Sequence, residues 1–293
     1  MNTYTKTDGL EGKKIANEIK KNSLYLVSTP IGNLSDISPR AAKVLAEVDF
    51  IAAEDTRNTA KLLIHLGIKK PMVSYYEHNK RERGQEIVKR LFQGQSAALV
   101  SDAGTPAISD PGEDLVKLCA EAGIEVFSIP GPCAAICALT LSGLFTGRFS
   151  FEGFLSTGKA ERLERLQSVK EDERTLIFYE APHHLVKTLQ VMLEVLGDRK
   201  ISLCREITKI NEEVRRTTIS QALEYYTDNQ PKGEFVLVIE GASPEKKTNF
   251  WDNMSVEQHF EHYFSQGMER MDAIKKVASD RGVGKSTIYK QLL

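Results

Sequence analysis

The chain has 293 residues, 41% hydrophobic and 27% charged, with a formal net charge of −1. That length allows two domains and a sizeable core, and no stretch is long and apolar enough to span a membrane. The near-neutral charge leaves any nucleic-acid binding to local patches. The four cysteines (Cys119, Cys133, Cys137, Cys204) have no CxxC spacing and no metal pattern with the histidines, which suits a reduced, cytoplasmic protein.

Residues 1–22 are polar and lysine-rich and read as a flexible lead without the apolar centre of a signal peptide. From 24 the chain alternates. LYLVST (24–29) reads as a strand and SPRAAKVLAEV (38–48) as a helix, with Ser38 as cap and Pro39 first inside. DFIAAED (49–55) is a strand, and TRNTAKLLIHL (56–66) a helix closed by Gly67. MVSYYE (72–77) is a strand and RERGQEIVKRLF (81–92) a helix. AALVSD (97–102) follows, then a helix over 113–122 stopped by Gly123, the strand IEVFSI (124–129) and a small-residue helix, CAAICALTLSGL (133–144). This alternation predicts an α/β domain over 23–147, with a mostly parallel sheet covered on both faces.

The pattern changes near Arg148. FSFEGFL (149–155), TLIFYEA (175–181), KISLCREI (200–207), EVRRTTI (213–219) and EFVLVIEG (234–241) read as strands. The helices between them are KAERLERLQSVKED (159–172) and HHLVKTLQVMLEVLG (183–197). They predict an α+β domain over 148–242 with some antiparallel pairing. Residues 243–293 read as a polar linker followed by a small helical extension.

The stretch VSDAGTPAISDPG (100–112) places Gly/Pro punctuation directly after an apolar strand. It carries Asp102 and Asp110 but no Lys or Arg, so a ligand with hydroxyls, an amine or a positive centre suits it better than a phosphate. VSTPIGN, AAEDTR, YYEHN, SDAGTP and PGPCAA end five successive strands, and together they describe one cleft at the carboxyl ends. Each loop alone reads equally as a structural turn, and the Glu54–Asp55–Arg57 cluster equally as a surface ion-pair set. FYE (178–180) and REITK (205–209) would face the same cleft if the domains pack together. The dinucleotide fingerprint is absent. GVGKST (282–287) fails as a phosphate loop, because Ser279 stands where the first glycine belongs and no strand leads in.

The motifs LYLVSTPIGNLSDIS, AAEDTRNT, LVSDAGTPAISDPG, IPGPCAA, FEGFL, TLIFYEAPHHL, REITK and KGEFVLVIEG occur in that order over 24–241. In them the chain resembles the tetrapyrrole-methylase-type (class III) S-adenosylmethionine-dependent methyltransferases. The tail is similar, less specifically, to the helix-turn-helix-like extension that many members carry. The resemblance implies a two-domain class III methyltransferase fold with a small helical C-terminal extension, a homodimer, and S-adenosylmethionine bound between the domains. It also implies methyl transfer to the ribose 2′-hydroxyl of a cytidine in the decoding centre of 16S ribosomal RNA, within the small ribosomal subunit.

By the family pattern, Gly104, Thr105 and Pro106 match the cofactor loop that follows Asp102. Pro30, Ile108, Cys133 and Ala134 lie near the cofactor from the first domain, and Glu180, Gly233 and Glu234 approach it from the second. Thr105 departs from the Asp of many members. Glu54, Asp55, His78, Glu206 and Lys209 are candidates to accept the hydroxyl proton, and Arg57 and Arg205 to hold neighbouring phosphates. Basic stretches for RNA are 80–90, the helix after Lys159, and the tail. From Gly267 the tail has six Lys/Arg (Arg270, Lys275, Lys276, Arg281, Lys285, Lys290) against three acids. A class III methylase of a small molecule and a non-catalytic RNA-binding module remain as rivals.

Overall fold

The computed structural model describes residues 18–243 and 249–293. Most of the expected lead (1–17) and the middle of the expected linker (244–248) lie outside the described residues. The chain divides into two compact units, Met1–Gly241 and Ala242–Leu293.

The first unit contains two sheets. The first is built from β1 (Ser23–Val27), α1 (Pro39–Glu47), β2 (Phe50–Ala53), α2 (Thr56–His65), β3 (Met72–Ser74), α3 (Lys80–Phe92), β4 (Ser96–Val100), α4 (Gly112–Glu121) and β5 (Glu125–Ile129). Its strand order is β3-β2-β4-β1-β5, and every pairing is parallel. Short apolar runs suit strands buried on both faces. Val44, Leu45, Leu62 and Leu63 of α1 and α2 pack with Val27, Ile51 and Ala53 on one face. Ile87, Leu91, Leu115 and Cys119 of α3 and α4 pack with Leu24, Phe50 and Leu99 on the other. The connection from β4 therefore leaves toward one face, and those from its neighbours β1 and β2 leave toward the opposite one. That reversal opens a crevice at the carboxyl end of β4.

The expected strand over 72–77 ends at Ser74. There the Asn79 side chain binds Tyr76 N and Ser74 O, and Tyr75 turns inward to donate its hydroxyl to Pro111 O at 3.1 Å. Local side-chain hydrogen bonds thus displace the sheet ladder.

The second sheet follows α5 (Ala134–Ser142). Its elements are β6 (Phe149–Phe154), α6 (Lys159–Ser168), β7 (Thr175–Glu180), α7 (Leu185–Leu196), β8 (Lys200–Arg205), β9 (Glu213–Thr218), α8 (Ile219–Asp228) and β10 (Phe235–Ile239). The order is β6-β7-β10-β8-β9, with only β6 and β7 parallel. Leu166, Leu189, Met192 and Ala222 of α6–α8 cover one face. The small residues Ala135 and Ala138 let α5 lie close on the other, against Ile177, Cys204 and Val236. α8 was not among the expected helices; Thr218 caps it by accepting from Gln221 N.

The second unit holds α9 (Val256–Ser265), α10 (Arg270–Asp280) and α11 (Lys285–Gln291) around Ile274, Val277 and Ile288. A short turn with Gly282 at φ +63 joins α10 to α11, giving a helix-turn-helix. Among the described residues no helix is long and apolar enough to cross a membrane.

Candidate active site

Three strand-end loops of the first sheet are bonded into one floor. Thr29 and Gly104 exchange backbone hydrogen bonds of 2.9 and 3.1 Å, tying the loop after β1 to the loop after β4. Gly104 holds φ +81, and a Cβ there would lie 3.3 Å from Ile31 Cγ2. Thr105 Oγ1 donates to Pro132 O at 2.9 Å and lies 3.0 Å from Ser28 Oγ, so one hydroxyl joins the loops after β1, β4 and β5.

Asp110 fixes the outer part of the loop. Its carboxylate accepts from Ala107 N at 3.0 Å, Ile108 N at 3.2 Å and Gly112 N at 2.8 Å. These bonds hold Ala107 and Ser109 at φ +66 and +61, a left-handed conformation that non-glycine residues adopt at a cost of about 1 kcal/mol or more each.

The second wall comes from the ends of β7 and β8 and the start of β10. Buried Glu180 accepts from Ala181 N at 2.8 Å and from Thr188 Oγ1 at 2.5 Å. Glu206 and Thr208 also sit at positive φ, in the turn after β8. Glu206 Oε1 accepts from Glu234 N and Lys209 Nζ, both at 2.9 Å, and Lys209 Nζ reaches Glu234 Oε2 at 2.8 Å.

Between these walls lies a cleft of about 520 Å³. Of the expected site residues, Glu54, Asp102, Gly104, Thr105, Ile108, Cys133, Ala134, Glu180, Glu206, Lys209 and Glu234 line it. Pro30, Pro106 and Gly233 belong to the loops that shape it without themselves lining it. The structure does not bring Asp55, Arg57 or His78 into the lining. Asp55 caps α2 and grips Arg57 through contacts of 2.7–3.2 Å. His78 is exposed and stands edge-on to Tyr76. Arg205 is committed to Glu213 and Lys232 O. Asp110, named with Asp102 as a loop carboxylate, lines the cleft, and so do Phe154 and Tyr179, which the sequence marks only through the segments FEGFL and FYE.

The cleft is acidic. Glu54, Asp102, Asp110, Glu180, Glu206 and Glu234 face it, and among the described residues Lys209 is the one cation in its lining. Burial pushes the Glu54 carboxyl above its ordinary range, and the neighbouring Asp102, Asp110 and Asp55 push the same way, against one hydrogen bond from Asp102 N. Hydrogen bonds from Arg57 pull Asp55 down to about 2. Burial would raise Glu206, but the Glu234 N–H and Lys209 outweigh it and leave the carboxyl lowered. Lys209 shows the mirror case: burial opposes its charge, and the two glutamates more than compensate, raising it. This donor set fits a cationic ligand bearing hydroxyls, the chemistry of the sulfonium, amine and ribose of S-adenosylmethionine.

Comparison with known proteins agrees. Residues 23–223 match the family model of the tetrapyrrole (corrin/porphyrin) methylases. Ribosomal RNA small subunit methyltransferase I from Synechocystis sp. is 49% identical over 91% of this chain and 95% of its own. Its namesake from Bacillus subtilis is 47% identical over 91% and 92%. Among solved structures, uroporphyrin-III-C-methyltransferase from Thermus thermophilus superposes with a TM-score of 0.54 at 17% identity, over 75% of this chain and 94% of that one. Diphthine synthase does so with 0.57 at 14% identity, over 74% and 89%. At such identities these two attest the fold alone. Fold, cleft and sequence together make the chain a member of the tetrapyrrole methylase family, and within it a relative of the small-subunit ribosomal RNA methyltransferases I.

Proposed function

We propose that the chain transfers a methyl group from S-adenosylmethionine to the ribose 2′-hydroxyl of a cytidine in the decoding centre of 16S ribosomal RNA, acting in the cytoplasm as a homodimer on the small ribosomal subunit. The observation that carries this reading is the acidic cleft at the strand ends of a methylase fold whose curated relatives are named for ribosomal RNA. Gly104, Thr105, Pro106 and Ile108, with Pro30, Cys133 and Ala134, form the cofactor floor. Asp102, Glu180 and the Gly233–Glu234 turn complete the cationic subsite. When bound, the cofactor supplies a methyl group on a positively charged sulfur.

Glu54 accepts the proton that the ribose hydroxyl gives up. Of the five candidates only Glu54, Glu206 and Lys209 reach the cleft lining. Lys209 is held protonated by two glutamates, and Glu206 is neutralised by Lys209. Glu54 makes no ion pair among the described residues, and its raised pKa makes it the better base.

RNA contacts are local. Arg57 at the start of α2 is held by Asp55, but Arg40 and Arg81, the second residues of α1 and α3, are exposed at the carboxyl edge of the first sheet with no ion pair among the described residues. Helix dipoles disfavour cations there, so the placement serves something other than helix stability. Phosphates beside the target nucleotide account for it. Several cations of the expected basic stretches are already paired: Lys80 with Glu77 and Asp114, Arg83 with Glu86, and Arg165 with Glu152. Arg162 is buried and donates to Ser156 O and Thr157 O. In the second unit, taken by itself, Lys285 and Lys290 of α11 make no ion pair among the described residues and offer a further contact for RNA.

The test is transfer of labelled methyl from S-adenosylmethionine to small subunits from a strain lacking this protein, with nuclease mapping. Label in a 2′-O-methylcytidine is the expected result. Cofactor binding without label in RNA would favour a small-molecule methylase instead.

A further inference from the structure

An exposed aromatic ring stands at the lip of the cleft. Phe154 lines the cleft and is 62% exposed. Its position depends on an irregularity in β6. The β6–β7 register runs Phe151 opposite Ile177, then jumps so that Gly153 faces Phe178 and Phe154 faces Tyr179. One extra residue is therefore inserted at Glu152. In an unbroken strand Phe151 and Phe154 would point to opposite faces. The bulge puts both on the face of Ile177 and Tyr179, which is the face toward the cleft. Gly153 makes the turn at φ +66, and a Cβ there would come within 2.9 Å of Ser109 Oγ on the pinned loop after β4.

The ring is also backed. Tyr179 stands between Phe151 and Phe154, with centroids 5.0 and 5.3 Å away and ring planes inclined at 70° and 58°. The Tyr179 hydroxyl accepts from Ala135 N at 3.2 Å, which anchors it to α5. Phe154 is thus held from behind while much of its surface remains open, although core packing gains nothing from an exposed ring.

We infer that Phe154 is a stacking platform for the nucleobase of the nucleotide being methylated. This rests on the RNA methyltransferase reading above. A ribose hydroxyl can reach Glu54 only if its nucleotide leaves the RNA stack and enters the cleft. The base it carries then needs a flat apolar partner to replace the neighbours it has left. The acidic floor offers none, whereas the bulge delivers one at the lip, where a group entering from solvent would first meet the wall. Stacking on a single ring tolerates any base, so Phe154 is a positioning residue and does not select cytidine.

The test is a binding cycle at equilibrium, with S-adenosylmethionine present. Wild type and Phe154→Ala are each titrated with a nine-nucleotide single-stranded RNA carrying one central cytidine, and with the same RNA lacking that base. Wild type should bind the intact RNA roughly 10- to 100-fold more tightly than the abasic one, and Phe154→Ala should lose most of that ratio. Phe154→Trp should keep it. Cofactor affinity, measured by calorimetry, should be the same in all three. Equal binding of intact and abasic RNA by wild type, or an unchanged ratio in Phe154→Ala, overturns the inference. So does a tenfold loss of cofactor affinity in Phe154→Ala, which would assign the ring to the cofactor's adenine. Methyl transfer is not needed for this readout, so a failure of the enzymatic reading appears separately, as unlabelled RNA with the base-dependent ratio intact.

Discussion

Gly233 offers a test of the second wall in which two costs separate. It sits at φ +82, and an added Cβ would lie 2.5 Å from Glu206 Cγ and 2.7 Å from Glu206 Cδ. A left-handed alanine costs about 1–2 kcal/mol. Gly67 holds a similar φ of +68 with nothing within 4 Å of an added Cβ, so Gly67→Ala incurs that cost alone. Gly233→Ala also displaces Glu206, whose Oε1 holds both the Glu234 N–H and Lys209 Nζ at 2.9 Å. Losing charge-assisted bonds at a partly solvated site adds about 1–2 kcal/mol. The totals are then about 2–4 kcal/mol for Gly233→Ala and about 1–2 for Gly67→Ala. At roughly 2–4 °C per kcal/mol for a unit of this size, scanning calorimetry should place the Gly233 variant several degrees below the Gly67 variant. Only the former should bind S-adenosylmethionine more weakly, on the order of tenfold, because Glu206 and Glu234 line the cleft. Equal melting temperatures and equal cofactor affinities would refute the proposed role of the turn.

The remaining expectations concern other parts of the chain. Asp110→Ala frees three backbone N–H groups and relaxes two left-handed residues, so cofactor affinity should fall roughly tenfold or more by calorimetry, while Asp110→Asn keeps part of it. Glu54→Gln should lower kcat by about a hundredfold or more, and the acid limb of the wild-type pH–rate profile should lie above an ordinary glutamate; a profile unchanged in the variant would remove Glu54 as base. Replacing Lys285 and Lys290 by Gln should reduce the slope of log K against log salt for RNA by roughly 1.5, and an unchanged slope would take α11 off the RNA surface. His259 is buried, stacked on Trp251 at 5.0 Å, and takes Arg281 Nε on its Nδ1; burial first, and then Arg281, lower its pKa. Its contribution to the second unit is therefore complete above the ordinary histidine pKa and lost as pH falls through the lowered folded value. Fluorescence of Trp251, the sole tryptophan, should report that loss, and His259→Phe should abolish it.

Much of the fold was legible because parallel strands buried on both faces leave continuous apolar runs, such as FIAA and AALV, and because Ser38 and Gly67 punctuate the helices between them. The cleft was legible for a topological reason, since loops at consecutive carboxyl ends must meet. Side-chain commitment was not legible. Asp55 and Arg57 look like site chemistry in sequence, yet two residues apart at the start of a helix they satisfy each other and the α2 cap. His78 lies beyond a strand cut short by the Asn79 turn, which no periodicity signals. α8 escaped because its two tyrosines and Thr227 are as much at home in a strand, and it stands as a helix through the Thr218 cap and the packing of Ile219 and Ala222. Phe154 was hidden because a bulge inverts the alternation by which a strand is read.

The placement of charge ties these observations together. A site for a cationic cofactor and a polyanionic substrate faces opposed requirements. Carboxylates that hold a sulfonium repel phosphates, and cations that draw in RNA would compete for the carboxylates. The chain separates the two in space. The cleft lysine Lys209 is locked between Glu206 and Glu234, so it neither attracts phosphate nor neutralises Glu54. The exposed arginines Arg40 and Arg81 stand outside the cleft, on the first turns of α1 and α3. Phe154, which lines the cleft while much of its surface is exposed, is the uncharged surface proposed to receive the base without favouring either sign. Glu54 has no ion partner among the described residues and burial raises its pKa, and an arginine or lysine brought into contact with it would lower that pKa and weaken the base.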